Sequence, residues 1–328
     1  MQDQEWLAWV GGIVDGEGCI SIHRVYQWYQ FSVSMGNTSA RLSREFSDLM
    51  SKLAGSCCVV DVSAKDNQRS SQYVSVSSRR AVSTVLTAIR PYLVTKIDQA
   101  DLALQALAEG CTEKHFQAMA ELNKKGPQGR VRSSSKGLGH LPMNLRLAWL
   151  GGIVDGEGSL SLGIVNAKQK KGQISQLARF EVHVPNTNEN MLEEVASISG
   201  DSGVGCCFVR GKPRSTERST NRVVWLGMPR VGGILRVLQP YIVAKQDHVR
   251  VLLEAIEHRQ QSHRLSLRAD RARLYRARGQ WLSVAEDIRL LKYIAEMVRL
   301  NRRGMVPDEI VNKAPGQFAP STTRQGSA

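Results

Sequence analysis

The sequence lacks the features that mark several common classes of protein. No apolar run approaches the roughly 18 residues of a membrane span, and the residues from Met1 to Glu5 lack the basic and apolar regions of a signal peptide. The six cysteines show no CxxC spacing, which argues against a zinc ribbon. We therefore expect no membrane partner, and we expect reduced, mostly buried thiols.

Acidic residues are also scarce relative to basic ones. The 328 residues include 44 Lys and Arg against 30 Asp and Glu, for a net charge of +14. A surface this basic attracts polyanions, of which nucleic acid is the commonest, although an incidentally basic protein is an equal alternative from charge alone. A hydrophobic share of 42% is enough for packed cores, and the length suits about two domains.

An internal repeat defines the organisation of the chain. The text LAWVGGIVDGEGCI at Leu7 to Ile20 returns as LAWLGGIVDGEGSL at Leu147 to Leu160. Two further matches follow in the same order, RPYLVTK with QPYIVAK and LNKKG with LNRRG. Three matched blocks in one order indicate two copies of a whole domain, since solenoid repeats are only about 20 to 50 residues long.

Hydrophobic periodicity changes in the same order in both copies. The first copy predicts helix 4–16, strands 19–25 and 30–35, helix 40–53, strands 57–63 and 73–77, and helices 79–89 and 96–108. The second predicts helix 144–156, strands 159–165 and 177–184, helix 188–198, strands 204–209 and 222–226, and helices 229–238 and 245–258. The sequence therefore predicts an α+β fold of two pseudo-symmetric αββαββα repeats.

Composition sets the predicted domain boundaries. A stretch rich in Gly, Ser, Lys and Arg separates the copies and is typical of a linker, and the polar C-terminal tail is typical of disorder. The predicted segments are a first repeat at 1–122, a linker at 123–142, a second repeat at 143–262, an Arg-rich insertion with a C-terminal helical segment at 263–313, and a disordered tail at 314–328.

Tandem glycines and paired acids mark the repeated helix. Each interior Gly costs about 1 kcal/mol relative to Ala, so the pairs Gly11-Gly12 and Gly151-Gly152 need a compensating contact. The simplest account is that the two helices pack against each other through these glycines. The DGEG sequences at their ends would then lie side by side, and adjacent carboxylates attract a divalent cation such as Mg²⁺, for which Mn²⁺ is a substitute.

Other interpretations of DGEG fit less well. An EF-hand loop needs a further acid or amide where Cys19 stands, and a dinucleotide fingerprint places its glycines before a helix, not after one. A simple acidic helix end would be favoured for one copy alone. Two copies with tandem glycines favour the metal-binding interpretation.

The two motifs, VGGIVDGEG at Val10 to Gly18 and LGGIVDGEG at Leu150 to Gly158, resemble the nine-residue motif of LAGLIDADG homing endonucleases, single-chain double-motif type. The resemblance covers most of the chain. It implies that the motif helices form the interface between the halves, and that each half turns a twisted antiparallel sheet toward DNA. It also implies Mg²⁺-dependent cleavage of both DNA strands, with Ca²⁺ supporting binding but little cutting.

The resemblance further assigns roles to single residues. The metal ligands would be Glu17 and Glu157 with the backbone carbonyls of Gly16 and Gly156, while Asp15 and Asp155 match a more structural acid. The active-site lysines would be Lys96 and Lys245. Many relatives carry at least one Asp where this chain has Glu twice. Some also place a polar residue near the end of the second strand to position water, where this sequence has Met35 and Val184.

The same resemblance places DNA recognition on the first two strands of each copy, where a β-ribbon fits the major groove. The candidate residues are Ser21, His23, Arg24, Tyr26, Gln30 and Ser32 in the first copy, and Ser161, Lys168, Lys170, Lys171, Ser175, Arg179, Glu181 and His183 in the second. Among them Arg24 and the three lysines suit phosphate. Six arginines of the insertion suit a phosphate-gripping arm or a solvated helix: Arg264, Arg268, Arg271, Arg273, Arg276 and Arg278.

Three functions remain open from the sequence. The expected one is a monomeric, intron-associated endonuclease that cuts a long asymmetric double-stranded DNA site. The alternatives are a maturase that binds its own intron RNA and a relative that binds DNA without cutting it. The expected location is the cytoplasm and nucleoid of a prokaryote, or the matrix of an organelle if the gene is organellar.

Overall fold

Each copy of the repeat begins with a helix that ends at its DGEG sequence. The structure, a computed structural model, describes residues 1–63, 70–124, 137–168, 174–211, 220–270 and 287–302. The first copy contains α1 (Asp3–Gly16), β1 (Gly18–Val25), β2 (Trp28–Asn37), α2 (Ala40–Ala54), β3 (Cys58–Val62), β4 (Ser71–Val76), α3 (Arg79–Ile89), α4 (Ile97–Glu109) and α5 (Glu113–Asn123). A 3-10 turn, Arg90–Tyr92, follows α3.

The second copy repeats this order. Its elements are α6 (Met143–Gly156), β5 (Ser159–Lys168), β6 (Ile174–Asn186), α7 (Glu189–Asp201), β7 (Cys207–Val209), β8 (Asn221–Leu226), α8 (Met228–Leu238), α9 (Gln246–Asp270) and α10 (Ile288–Arg302). A 3-10 turn, Gln239–Tyr241, again precedes the last helices. The predicted α+β fold with two αββαββα repeats is confirmed. Helix α5 was not predicted from the sequence.

Local signals in the sequence explain where the elements start and stop. Ser39 caps α2 by accepting a hydrogen bond from the backbone N–H of Leu42, and Gly55 ends this helix in the left-handed conformation. Gly18 allows β1 to leave α1 abruptly, because a β-carbon there would lie 2.6 Å from the Cα of Val14. Gly158 plays the same part after α6, where an added β-carbon would lie 2.5 Å from the carbonyl oxygen of Val154.

Both sheets have four strands in the same order, β1-β2-β4-β3 in the first copy and β5-β6-β8-β7 in the second. Strands β1 and β2 pair antiparallel from Gly18 opposite Met35 to Val25 opposite Trp28, so a two-residue turn joins them. One face of the first sheet is apolar and enters the core, through residues such as Ile20, Phe31 and Val33. The opposite face carries Ser, Cys and His side chains on β1 and β2.

Contacts divide the described residues into two compact units. The first unit comprises the described parts of 1–159 and 182–246, and it holds both helices that end in DGEG. The second comprises those of 160–181 and 247–302. Within the second unit, Asp287 caps α10 through the N–H of Leu290, and its carboxylate accepts hydrogen bonds from His258 and Arg259. The domain boundaries drawn from composition stay a prediction.

The cysteines differ from the sequence expectation. All six are free thiols, as expected for a reduced protein. The expectation that most are buried is wrong, since Cys19, Cys58 and Cys207 are exposed and the others are partly buried. Cys19 points outward because its neighbour Ile20 carries the side chain that faces the core, and Cys58 lies on β3, where all five residues are exposed.

Candidate active site

Helices α1 and α6 approach until their backbones touch. A β-carbon on Gly12 would lie 2.1 Å from the carbonyl oxygen of Trp149, and one on Gly152 would lie 2.2 Å from that of Trp9. No side chain larger than hydrogen fits either position, which explains why a helix tolerates the loss of helix propensity there. The predicted packing of the motif helices is confirmed for these two glycines.

The neighbouring glycines have a different contact. A β-carbon on Gly11 would lie 2.8 Å from the Cβ of Tyr92, and one on Gly151 would lie 2.6 Å from the carbonyl oxygen of Tyr241. The prediction that Gly11 and Gly151 also face the other motif helix is therefore wrong. Adjacent helical residues point about 100° apart, so one Gly of each pair faces the partner helix and the other faces its own copy's 3-10 turn.

The close approach brings the last acids of the two motifs together. A β-carbon on Gly16 would lie 3.1 Å from the Cγ of Glu157, and one on Gly156 would lie 3.0 Å from the Cγ of Glu17. Each glutamate therefore lies across the end of the other copy's helix. Two carboxylates share one small volume at the carboxyl ends of two helices, where both helix dipoles are negative.

This crowding changes the acidity of the site. Burial, followed by the charge of Glu17, raises the pKa of Glu157 to about 7, while the charges of Lys96 and Lys245 act in the opposite direction. Glu17 accepts a hydrogen bond of 3.4 Å from the side-chain amide of Asn37. A divalent cation would offset the repulsion between the two ionised carboxylates. Their oxygen atoms are also the type of ligand that Mg²⁺ prefers.

Each predicted lysine contacts the carboxyl end of its own copy's motif helix. The Nζ of Lys96 donates to the carbonyl oxygens of Val14 (2.6 Å) and Asp15 (2.7 Å). The Nζ of Lys245 donates to those of Val154 (2.7 Å) and Gly158 (2.7 Å), with a longer contact of 3.4 Å to Gly156. The lysines thus satisfy carbonyls at the helix ends and offset the negative charge beside the glutamates.

The first acid of each motif is a buried anchor. The Asp15 carboxylate accepts hydrogen bonds from the backbone N–H groups of Val94 (2.6 Å), Thr95 (2.9 Å) and Lys96 (3.0 Å). Asp155 accepts in the same way from Val243 (2.7 Å), Ala244 (3.0 Å) and Lys245 (2.9 Å). Each aspartate therefore holds the backbone segment that carries its own copy's lysine.

The aspartates are also linked across the two copies. The indole Nε1 of Trp9 donates to Asp155 at 3.0 Å, and that of Trp149 donates to Asp15 at 3.1 Å. Both tryptophans are fully buried. Burial raises the pKa of Asp155, and hydrogen bonds from Val243, Trp9 and Lys245, with the charge of Lys245, oppose that rise.

Asn37 is a site residue that the sequence did not reveal. The resemblance places a water-positioning residue near Met35 and Val184, and both of these side chains lie in the apolar core. Strands β2 and β6 extend beyond them by two residues, to Asn37 and Asn186. The signal was present in the paired texts GNTS and PNTN, since each Asn side chain accepts a backbone hydrogen bond two residues later.

Four candidate DNA-reading residues of the first copy lie on the outer face of the sheet, whereas Arg24 lies on the same face as Ile22, near the tip. Ser21 and Ser32 are opposite each other, joined by a 2.7 Å hydrogen bond and nearly buried, and Ser21 also bonds His23. His23 and Gln30 form the next, exposed pair. Tyr26, predicted to lie on a strand, occupies the turn, with a φ of 53°. Arg24 is exposed and pairs with Glu113 at 3.4 Å.

The candidates of the second copy are less fully described. Ser161 and His183 are partly buried, and Arg179 forms a 2.5 Å ion pair with the buried Glu181. Lys168 and Ser175 lie on β5 and β6, where the backbone alone is described. The remaining candidates lie outside the described residues: Lys170, Lys171, Arg271, Arg273, Arg276 and Arg278. Arg264 and Arg268 lie on α9, again with only the backbone described.

The described part of the chain holds neither a cluster of metal-ligating side chains nor a membrane-spanning helix. Within that part, no group of three or more His, Cys, Asp and Glu side chains is placed to hold a metal ion. A metal at the glutamates would therefore need backbone carbonyls, water or substrate oxygens to complete its coordination. No helix among the described residues has the length and apolar character needed to cross a membrane.

Comparison with known proteins yields matches among solved structures. No family model matches the sequence, and a search of curated proteins returns no significant match. The crystal structure of the LAGLIDADG homing endonuclease I-SmaMI bound to cleaved DNA matches with a TM-score of 0.62 and 14% identity, over 92% of this chain and 98% of that chain. I-LtrWI bound to target DNA also matches at 0.62 and 14%, over 90% and 98%.

A third structure, I-GzeII in complex with its DNA target, matches with a TM-score of 0.55 and 12% identity, over 89% of this chain and 97% of that chain. At identities this low the similarity concerns the fold alone. The chain thus has the fold of the LAGLIDADG homing endonucleases, across nearly the full length of these solved proteins.

Proposed function

We propose that this protein is a site-specific homing endonuclease that uses a divalent metal, Mg²⁺ in the cell, to hydrolyse both strands of a long asymmetric DNA site. The observation that carries the proposal is the meeting of Glu17 and Glu157 across the ends of the motif helices. Two carboxylates held together at negative helix ends have no structural benefit of their own. They are explained by a cation that binds between them.

The residues at the helix ends suit such a cation. Glu17 and Glu157 would supply charged oxygens, and the carbonyl oxygens of Gly16 and Gly156 would supply neutral ones. When bound, a divalent cation lowers the pKa of water and neutralises charge on a phosphate. Asn37 would orient the carboxylate of Glu17, to which it already donates a hydrogen bond.

The lysines add positive charge where a phosphate would enter. Lys96 and Lys245 belong to opposite copies, so each would serve one scissile phosphate. Their ammonium groups now donate to carbonyls at the helix ends, which holds them within electrostatic reach of Glu157. Charge stabilisation by groups already fixed in place is a large contribution to phosphoryl transfer.

DNA binding follows from charge and shape. The net charge of +14 favours a polyanion, and the solved proteins of this fold named above are described in complex with DNA. The outer faces of the two sheets, with His23 and Gln30 in the first copy and Arg179 in the second, offer polar side chains to base edges. A single chain with both half-sites would act as a monomer on an asymmetric site.

The test uses a plasmid that carries the joined DNA sequences flanking the gene. Purified protein should linearise it with Mg²⁺ or Mn²⁺ and should bind it with little cutting in Ca²⁺. Glu17→Gln and Glu157→Gln should each abolish double-strand cleavage while leaving binding intact, because each removes one charge from the metal site. Lys96→Met and Lys245→Met should retain slow cleavage with opposite strand preferences.

The outcomes separate the alternatives. Tight binding to the plasmid without cleavage in any divalent metal would favour a DNA-binding relative that has lost catalysis. Tighter binding to the intron RNA, with faster splicing, would favour a maturase. Cleavage of both strands at the wild-type rate by either Glu→Gln variant would overturn the assignment of the catalytic centre.

A further inference from the structure

The two tryptophans of the motif helices make a reciprocal contact between the copies. Trp9 belongs to the first copy and donates to Asp155 of the second, while Trp149 belongs to the second and donates to Asp15 of the first. Packing alone would not require these bonds, because a phenyl ring would also fill an apolar space. The bonds place an N–H donor on a buried carboxylate, where a hydrogen bond to charge is strong.

Each aspartate also holds the backbone segment that carries a lysine. One carboxylate oxygen of Asp15 accepts hydrogen bonds from the backbone N–H of Val94 and the indole of Trp149. The other oxygen accepts from the backbone N–H groups of Thr95 and Lys96. Losing the indole would leave one lone pair of a buried carboxylate without its donor. The carboxylate could then rotate, and the segment from Val94 to Lys96 would lose its fixed position.

We propose that Trp9 and Trp149 are positioning residues that act in the opposite copy: Trp149 positions Lys96 through Asp15, and Trp9 positions Lys245 through Asp155. The proposal rests on the proposed nuclease function for its catalytic consequence only. The position of each lysine then depends on the motif helix of the other copy. A change in one motif helix should therefore weaken cleavage of the strand that the other copy's lysine serves.

The first experiment measures amide hydrogen exchange by mass spectrometry on the full chain without DNA or metal. In Trp149→Phe, peptides covering Val94 to Lys96 should exchange at least about tenfold faster, because one hydrogen bond to a buried charge is lost. Peptides covering Val243 to Lys245 should exchange as in the wild type. Trp9→Phe should show the reverse pattern.

Trp225→Phe is the matched control. Trp225 is also fully buried, but its indole donates to the hydroxyl of Ser199 at 2.7 Å and touches neither aspartate. This variant should lower overall stability and leave exchange in both lysine segments unchanged. If Trp149→Phe does not fold, benzothienylalanine at position 149 keeps the shape of the indole, lacks only the N–H, and should give the same local pattern.

The second experiment measures cleavage of each strand on the end-labelled joined-flank duplex. Trp149→Phe should shift strand preference in the same direction as Lys96→Met, and Trp9→Phe in the same direction as Lys245→Met. Equal slowing of both strands, or exchange that rises equally in both lysine segments, would reduce the tryptophans to packing residues and overturn the proposal. If exchange changes as expected but the wild type cuts neither strand, the proposed nuclease function fails and the positioning of the lysine segments stands.

Discussion

The backbone of Gly12 lies directly against the carbonyl oxygen of Trp149, since a β-carbon on Gly12 would be only 2.1 Å from that oxygen. The obstructing atom belongs to a helix backbone and cannot move aside. Gly12→Ala should therefore lower the free energy of unfolding by about 3 kcal/mol or more, through overpacking. Urea denaturation followed by circular dichroism measures this value.

Gly200 provides the control for that change. It also lies in a helix, but no atom lies within 4 Å of an added β-carbon. Gly200→Ala should be neutral or stabilising by up to about 1 kcal/mol, as helix propensity predicts. Equal stability of the Gly12→Ala protein and the wild type would contradict the close contact of α1 and α6.

The protonation of Glu157 should make stability depend on pH in an unusual direction. Its pKa is about 7 in the folded protein and near the ordinary 4.5 when unfolded, so the folded state binds more protons between these values. Stability must then fall as pH rises through this window. Without metal, the melting temperature of the wild type relative to Glu157→Gln should drop by on the order of 5 °C between pH 5 and pH 8.

Magnesium should reverse this loss. Because the cation binds the ionised carboxylate, Mg²⁺ should raise the melting temperature at pH 8 and have little effect at pH 5. The same stabilisation should be absent from Glu157→Gln. The difference in melting temperature between the wild type and Glu157→Gln could instead stay constant from pH 5 to pH 8. That result would show that Glu157 does not lie in the crowded environment described above.

Asn37 should influence how strongly the site holds metal. Its amide donates to Glu17 at 3.4 Å, and Asn37→Ala removes that support from a proposed ligand. The Mg²⁺ concentration for half-maximal cleavage should rise about tenfold, as is typical when a residue supporting a ligand is lost. Thr38→Ala is the control, because Thr38 is the exposed neighbour. An unchanged Mg²⁺ requirement for Asn37→Ala would remove Asn37 from the site.

The hairpin tip of the first sheet should contact DNA at one end of the target. Tyr26 and Trp28 are 91% and 78% exposed, unusual for aromatic side chains, and Trp28 lies on the same sheet face as His23 and Gln30. Replacing both aromatics by Ala should weaken binding about tenfold, the size of losing one base contact. Hydroxyl-radical footprinting should show the protected region shortened at one end only.

Ile288→Ala tests whether any exposed apolar residue has this effect, because Ile288 is 64% exposed on α10. Its footprint and affinity should match those of the wild type. A full-length footprint for the Tyr26 and Trp28 double variant, with unchanged affinity, would show that the tip does not touch DNA.

Much of the fold could be predicted because its signals are local. Alternation of apolar residues along β1 and helical spacing along α2 report burial directly, and the repeated text identifies the two copies. Tandem glycines in an apolar helix indicate close packing before any partner is known. Helix α5 was not predicted, and Met119 is its one buried residue.

The sequence by itself determined the two copies, their order of helices and strands, and the presence of two acids at the end of each motif helix, since each depends on residues close together in the chain. The tertiary structure decided the contacts that join distant residues. It decided that Gly12 faces the other helix while Gly11 faces Tyr92, that Asn37 and not Met35 reaches Glu17, and that each tryptophan bonds the other copy's aspartate. These contacts depend on how α1 and α6 cross and on how far β2 extends, and both follow from the packing of whole elements and not from any local pattern of residues.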